Sequence, residues 1–340
     1  MPADDGRDRS GSPWSGRAPS EDAVPGSAIP PSTSLVQQSL VDDGFVPAGG
    51  EGVSTGSMAR QIVRVFAENK LAVAGLVVIV GMVLFCFVGP FFYHTNQVDA
   101  QAALLNSTQN TGPGAGHPLG TDSSGFDILG RIMFGGRNSL IVGFAGAASA
   151  TLFGVVYGAI SGFFGGWIDA LMMRIVDVLL SIPQLFFLIV LAVIFHPSLE
   201  LMIIAIGFVS WLVPGRLIRG ETLTLRVREY VQAVKVMGGS RRRIVFRHII
   251  PNAVGTIVVN ATFQVADAIT LLAYLGFLGI GVPLPQTDWG SMLNSVVSDA
   301  QNGFWWKFYP VGLAIVLVLV AFNFVGDALR DSLEVRLQRR

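Results

Sequence analysis

The chain has 340 residues, of which 51% are hydrophobic and 14% charged, with 23 Lys and Arg balanced by 23 Asp and Glu. Soluble domains carry about 25% charged residues, so this deficit, together with several long apolar runs, points to a polytopic membrane protein. The zero net charge gives no basis for nucleic-acid binding. The single cysteine, Cys86, lies in an apolar run, which excludes a disulfide within the chain and any Cys-based zinc or redox motif.

Residues 1–57 are rich in Pro, Gly, Ser and Asp, and three arginines against eight carboxylates give them a net charge of −5. A disordered cytoplasmic tail is expected, because too few large apolar residues are present to bury a core. No apolar h-region follows a basic start, so the tail does not read as a signal peptide. Residues 58–93 form an amphipathic lead-in carrying Arg60, Arg64 and Lys70, then a first span from Leu71 to Val88 that ends at Gly89-Pro90. Residues 94–138 read as an extracytoplasmic loop, since 94–130 contain no Lys or Arg. It closes with Gly120-Thr121-Asp122-Ser123-Ser124-Gly125-Phe126-Asp127-Ile128-Leu129-Gly130-Arg131, then Gly135-Gly136-Arg137-Asn138-Ser139-Leu140.

Residues 139–335 are expected to form a five-helix core, which makes six spans in all. The second span, 140–164, is dense in Gly and Ala, which lets helices approach closely. Arg174 stands three residues before Asp177, the spacing of an intrahelical pair. Pro183 kinks or restarts the next helix, a third span to Phe195. His196, at a helix end with no other His or Cys nearby, reads as structural. The fourth span covers Leu199 to Leu217. Between 216 and 247 there are nine Lys or Arg and two Glu. The positive-inside rule therefore puts the 218–250 loop and both termini in the cytoplasm.

Within that loop, Tyr230, Val231, Val234 and Met237 recur at helical spacing. Gly238-Gly239 stops the helix, basic residues follow, and Pro251 opens the fifth span, where its missing N–H does no harm. This span runs to Gly281 and carries Asn260, Gln264 and Asp267 at i, i+4 and i+7, one helical face. A carboxylate at membrane depth needs a cavity or a partner. Trp305, Trp306 and Tyr309 make an outer aromatic belt. The sixth span, 311–324, exits through Gly326-Asp327.

The loop from Glu229 to Asn252 resembles the cytoplasmic "EAA" loop of ABC importer permeases, in the form found in the dipeptide and oligopeptide permease family. Glu229, Tyr230, Val231, Ala233, Gly238, Ser240, Ile244, Arg247, His248, Ile249, Pro251 and Asn252 match it; Gln232 and Val234 depart from its usual Glu and Ala. The outer stretch with Gly120, Thr121, Asp122, Gly125, Asp127, Arg131 and Arg137 resembles a second pattern of that family, with Phe126 in place of Arg and Gly130 in place of Ser. A third resemblance covers Gly276-Phe277-Leu278-Gly279-Ile280-Gly281 to Trp289-Gly290-Ser291-Met292-Leu293, with Gly276 for Ser. Where the family commonly has an acidic residue a few places earlier, this chain has Leu271-Leu272-Ala273.

The resemblance implies an all-α type I ABC importer permease fold in the plasma (inner) membrane. It implies half of a translocation pore for di- or oligopeptides, with a nickel chelate, glutathione or an oligosaccharide as alternative cargo. The chain has no Gly-x-x-x-x-Gly-Lys-Ser/Thr phosphate loop, so no ATPase site or cofactor of its own is expected, and ATP and Mg belong on partner subunits. The implied partners are a homologous second permease, two ATPase subunits that dock on the 229–252 loop, an extracytoplasmic binding protein and membrane lipid. The Asn260, Gln264 and Asp267 face would then turn to the pathway or the subunit seam, or serve only interhelical hydrogen bonds. A secondary transporter or channel would need coupling charges inside several spans. An intramembrane enzyme would need clustered catalytic groups, whereas the four histidines are scattered.

Overall fold

The computed structural model describes residues 63–94 and 109–338, with side chains as far as Leu333. The tail 1–57 and the start of the lead-in lie outside the described residues. Among the described residues the regular structure is helical, with two isolated bridges, Gly114 with His117 and Thr121 with Asp127. Five helices are long and apolar enough to cross a membrane, and one bent pair makes a sixth crossing if taken as a single span.

Helix α1 (Lys70–Phe87) starts where the Asn69 side chain accepts from the amides of Leu71 and Ala72. It buries Ala72, Gly75 and Cys86. Cys86 is fully buried in the main core, behaving as a small hydrophobe.

Helix α2 (Ile128–Phe164) is 37 residues long, about 55 Å at 1.5 Å per residue. That exceeds a hydrocarbon core of about 30 Å. It begins more than ten residues before the expected span, so residues 128–138 are helix rather than loop. Gly135-Gly136 marks a close contact: a Cβ on Gly136 would fall 2.6 Å from the Trp289 ring.

Helices α3 (Gly166–Leu180) and α4 (Gln184–Ile194) are bent by 76° across Ser181-Ile182-Pro183. With 11 residues, α4 is about 16 Å long. It is too short to cross alone, which corrects the third span: any crossing here needs both helices.

Helices α5 (Leu199–Ser210) and α6 (Leu212–Leu225) join at Trp211 in one 27-residue span. Helix α6 lies along α2, with Gly154, Gly158 and Gly162 forming the contact. At Gly158 an added Cβ would meet the Arg219 amide at 2.9 Å. Such a seam of small residues lets two backbones touch and supplies packing where no hydrophobic drive exists.

A helical arm follows, α7 (Glu229–Val236) and α8 (Arg241–Ile244), then a wide π turn at Val245–Ile249 and a short turn Ile250–Asn252. Helix α9 (Val254–Phe277) and helix α10 (Tyr309–Gln338) complete the bundle. Helix α10 continues through Gly326-Asp327 without a break. Gly326 is small because the Phe263 ring would sit 2.8 Å from its Cβ.

Ion pairs tie α3 to α6. Asp177 bonds Arg216, not Arg174, which is exposed. Asp169 accepts from Arg219 Nε at 2.6 Å and Nη2 at 2.7 Å, and from Ser161 Oγ at 2.5 Å. Asp169→Ala strands a partly buried guanidinium. The expected loss is about 1.5–3 kcal/mol, the range for a hydrogen bond to a charged group, read as a lower Tm of the detergent-purified protein. An unchanged Tm would mean that solvent carries Arg219 equally well.

Candidate functional site

The arm formed by α7, α8 and the turns after them is anchored by one small apolar cluster. Val231, Ile244 and Ile249 are buried together, with Val234, Leu225 and Phe163 packed against them. Two cations hold the arm to the end of α2: Lys235 Nζ and Arg241 each lie 5.6 Å from a ring centroid, those of Phe163 and Phe164. Ser240 caps α8 by accepting from the Arg243 amide. Pro251 cannot donate to the carbonyl four residues back, and the wide turn immediately before it relieves that mismatch. Asn252 Nδ2 donates to the His248 carbonyl.

The apolar positions of α7 divide. Val231 and Val234 point inward, while Tyr230, Val236 and Met237 are exposed, Val236 to 88% and Met237 to 77%. Helical spacing alone grouped Tyr230 and Met237 with the buried pair; the structure separates them. Glu229, Ala233, Arg247 and Asn252 are exposed on the same arm. Gly238 ends α7 with φ +79°. The Gly239 amide donates back to the Val234 carbonyl at 2.9 Å, so the turn fixes where the exposed tip points.

The stretch from Gly120 to Arg137 is folded by its own carboxylates. Asp122 Oδ1 accepts from the amides of Ser124 and Phe126 at 2.9 Å. Its other oxygen lies 3.5 Å from Arg131 Nε. Phe126 is buried beneath Arg131, 4.8 Å from guanidinium to ring centroid, and so fills the space with a cation–π contact. Arg137 lies over Phe87 at 5.6 Å and joins α2 to α1. Gly120 and Gly125 adopt positive φ, and Thr121 Oγ1 accepts from the Thr111 amide.

Asp127 caps α2 through the Gly130 amide at 2.8 Å; its second oxygen accepts from Tyr93 Oη at 3.1 Å and sits 2.8 Å from His117 Nδ1. Burial, then the charge and hydrogen bond of Asp127, push the Tyr93 hydroxyl up to about 12, so it stays a donor at neutral pH. Asp127→Ala is expected to cost about 0.5–2 kcal/mol through the lost cap. Hydrogen exchange at the amides of residues 128–131 should accelerate, and unchanged exchange would remove Asp127 from that role.

Three buried polar groups escaped the sequence reading. Asp288 is fully buried and accepts from the amides of Val282 and Ser291 and from Ser291 Oγ. An Asp three residues before Ser291 carried the cap signal. A Cβ on Gly276 would fall 2.5 Å from the Ser291 amide, which accounts for glycine there. Lys307 and Asp299 pair at 2.8 Å, both buried. No local spacing betrays that pair.

The α9 face also divides. Gln264 is buried and its Nε2 donates to the Ser210 carbonyl at 2.7 Å, clamping α9 to the α5–α6 junction. Gln264 and Asp267 line one cavity of about 480 Å³; Asn260 does not. The cavity is walled by the end of α3, the bend at Ile182-Pro183 and the first residue of α4, by the α5–α6 junction, and by Thr270 and Tyr274.

Residues 154–339 match the family described as binding-protein-dependent transport system inner membrane component, and residues 57–113 match the N-terminal TM domain of oligopeptide transport permease C. The chain belongs to this permease family. The oligopeptide transport system permease protein OppC of Haemophilus influenzae is 40% identical over 278 residues, 82% of this chain and 88% of that protein. The dipeptide transport system permease protein DppC of Alkalihalophilus pseudofirmus is 39% identical over 279 residues, 82% and 90% of the two chains. A solved inward-facing structure of the methionine ABC transporter MetNI superposes with a TM-score of 0.50 at 17% identity, covering 59% of this chain and 96% of that one. The permease therefore has the ABC importer permease fold. It is a multi-pass membrane subunit of a binding-protein-dependent transporter.

Proposed function

We propose that the permease forms half of the pore of an ATP-driven importer of di- or oligopeptides. Its pore partner is a homologous second permease. Two ATPase subunits, holding the ATP and Mg, dock on the arm 229–252, and an extracytoplasmic binding protein delivers cargo to the opposite side. Both termini lie in the cytoplasm with the arm, the side the positive-inside rule assigns to its arginines.

The observation that carries this reading is the arm itself: a short helix pinned by Val231, yet presenting Val236 and Met237 almost bare. Exposed apolar residues on a rigidly held tip suit a protein groove. Because the arm lies between α6 and α9, a push on α7 moves the two helices that wall the Asp267 cavity. Closure of the ATPase dimer would thus become a rigid-body change of the bundle. The peptide cargo rests on the relatives named for oligopeptide and dipeptide transport.

Native mass spectrometry of gently extracted complex tests the assembly. Two ATPases, a second permease and a peptide-loaded binding protein are expected. Recovery only as a lone chain or homodimer under all mild conditions would contradict it.

A further inference from the structure

The cavity beside α9 holds an unusual group. Asp267 stands at position 14 of the 24 residues of α9, about 20 Å along the helix. It is exposed, and no hydrogen bond or ion pair is made by its carboxylate among the described residues. A carboxylate at that depth is costly unless it meets a cavity or a cation. No Lys, Arg or His lines the cavity.

Thr270 and Tyr274 bring hydroxyls to the same lining, and Thr270 Oγ1, which donates to the Ala266 carbonyl at 2.8 Å, keeps lone pairs to accept with. The bend at Ile182-Pro183 falls beside it, where irregular backbone is tolerated because it lines a cavity.

One carboxylate with neighbouring hydroxyls matches an ammonium, which has three donors and one charge. It does not match a divalent cation: no group of three His, Cys, Asp or Glu side chains gathers among the described residues. We propose that this cavity binds the α-ammonium end of a peptide in transit, with Asp267 as counter-ion and the hydroxyl oxygens of Thr270 and Tyr274 as hydrogen-bond acceptors. The proposal rests on the peptide-import reading and adds a site and a polarity to it. About 480 Å³ accommodates one end of a short peptide.

The test uses the full permease–ATPase complex in nanodiscs without binding protein, and two probes, trialanine and N-acetyl-trialanine. Wild type should bind the free amine about tenfold more tightly, as one desolvated charge contact would give. Asp267→Asn should erase that difference, and Asp267→Glu should keep most of it. Equal binding of both probes by wild type, or a preference that survives Asp267→Asn, overturns the site. So does loss of the second permease from the Asp267→Asn complex, which would make the residue a seam contact. Wild-type complex that imports peptide with its binding protein but binds neither probe also overturns the site alone. Failure of that complex to import any peptide would instead overturn the cargo reading.

Discussion

Gly158→Leu is expected to abolish recovery of folded permease from the membrane. Helices α2 and α6 touch through backbone at this point. A Cβ on Gly158 would already lie 2.9 Å from the Arg219 amide and 3.1 Å from the Gly215 carbonyl carbon. Overpacking with flexible neighbours costs about 1–3 kcal/mol. Here the obstructing atoms are backbone, so the helices must part and the cost lies at or above that range. Separation would also disturb the Asp169–Arg219 and Asp177–Arg216 pairs, which bridge α3 to α6. Gly158→Ala should be purifiable with a lowered Tm. A Leu variant that elutes monodisperse with the wild-type Tm would contradict the close seam.

Gly238→Val is expected to leave insertion and folding intact but cut coupled transport about tenfold. The position is open, with no atom within 4 Å of an added Cβ, so packing is not the obstacle. The obstacle is φ +79°, which costs an L-residue about 1–2 kcal/mol and more for a β-branched one. A turn relieved of that strain no longer aims Val236 and Met237. A penalty of 1.4 kcal/mol is a factor of ten in the population of the docked geometry. Gly238→Asn should retain most uptake, since Asn tolerates left-handed backbone. The readouts are ATP-driven peptide uptake and ATP hydrolysis in proteoliposomes. Equal uptake by Gly238→Val and wild type would remove the turn from the coupling path.

Much of this was legible in the sequence, because much of it is local. Gly238 as a helix stop and Pro183 as a restart act within a few residues. What stayed hidden depends on partners far along the chain. Asp177 has Arg174 at helical spacing, yet bonds Arg216 on another helix, 39 residues away. Gly136 and Gly326 lie against Trp289 and Phe263, contacts that no local spacing shows. The periodicity of α7 showed that it is amphipathic; it could not show that Met237 faces out while Val231 faces in, because both sides carry apolar residues. Likewise, Gln264 and Asp267 share a face in sequence, but only the position of Ser210 shows that Gln264 clamps two helices while Asp267 is left to the cavity.

The most direct measurement is ATP-dependent accumulation of a labelled tripeptide in proteoliposomes containing both permeases and both ATPases, with binding protein on the outside. Accumulation that requires ATP and binding protein, and that is insensitive to ion gradients, is the predicted result. Uptake driven by a proton or sodium gradient without ATP, or ATP hydrolysis with no peptide entering under any condition, would contradict the account.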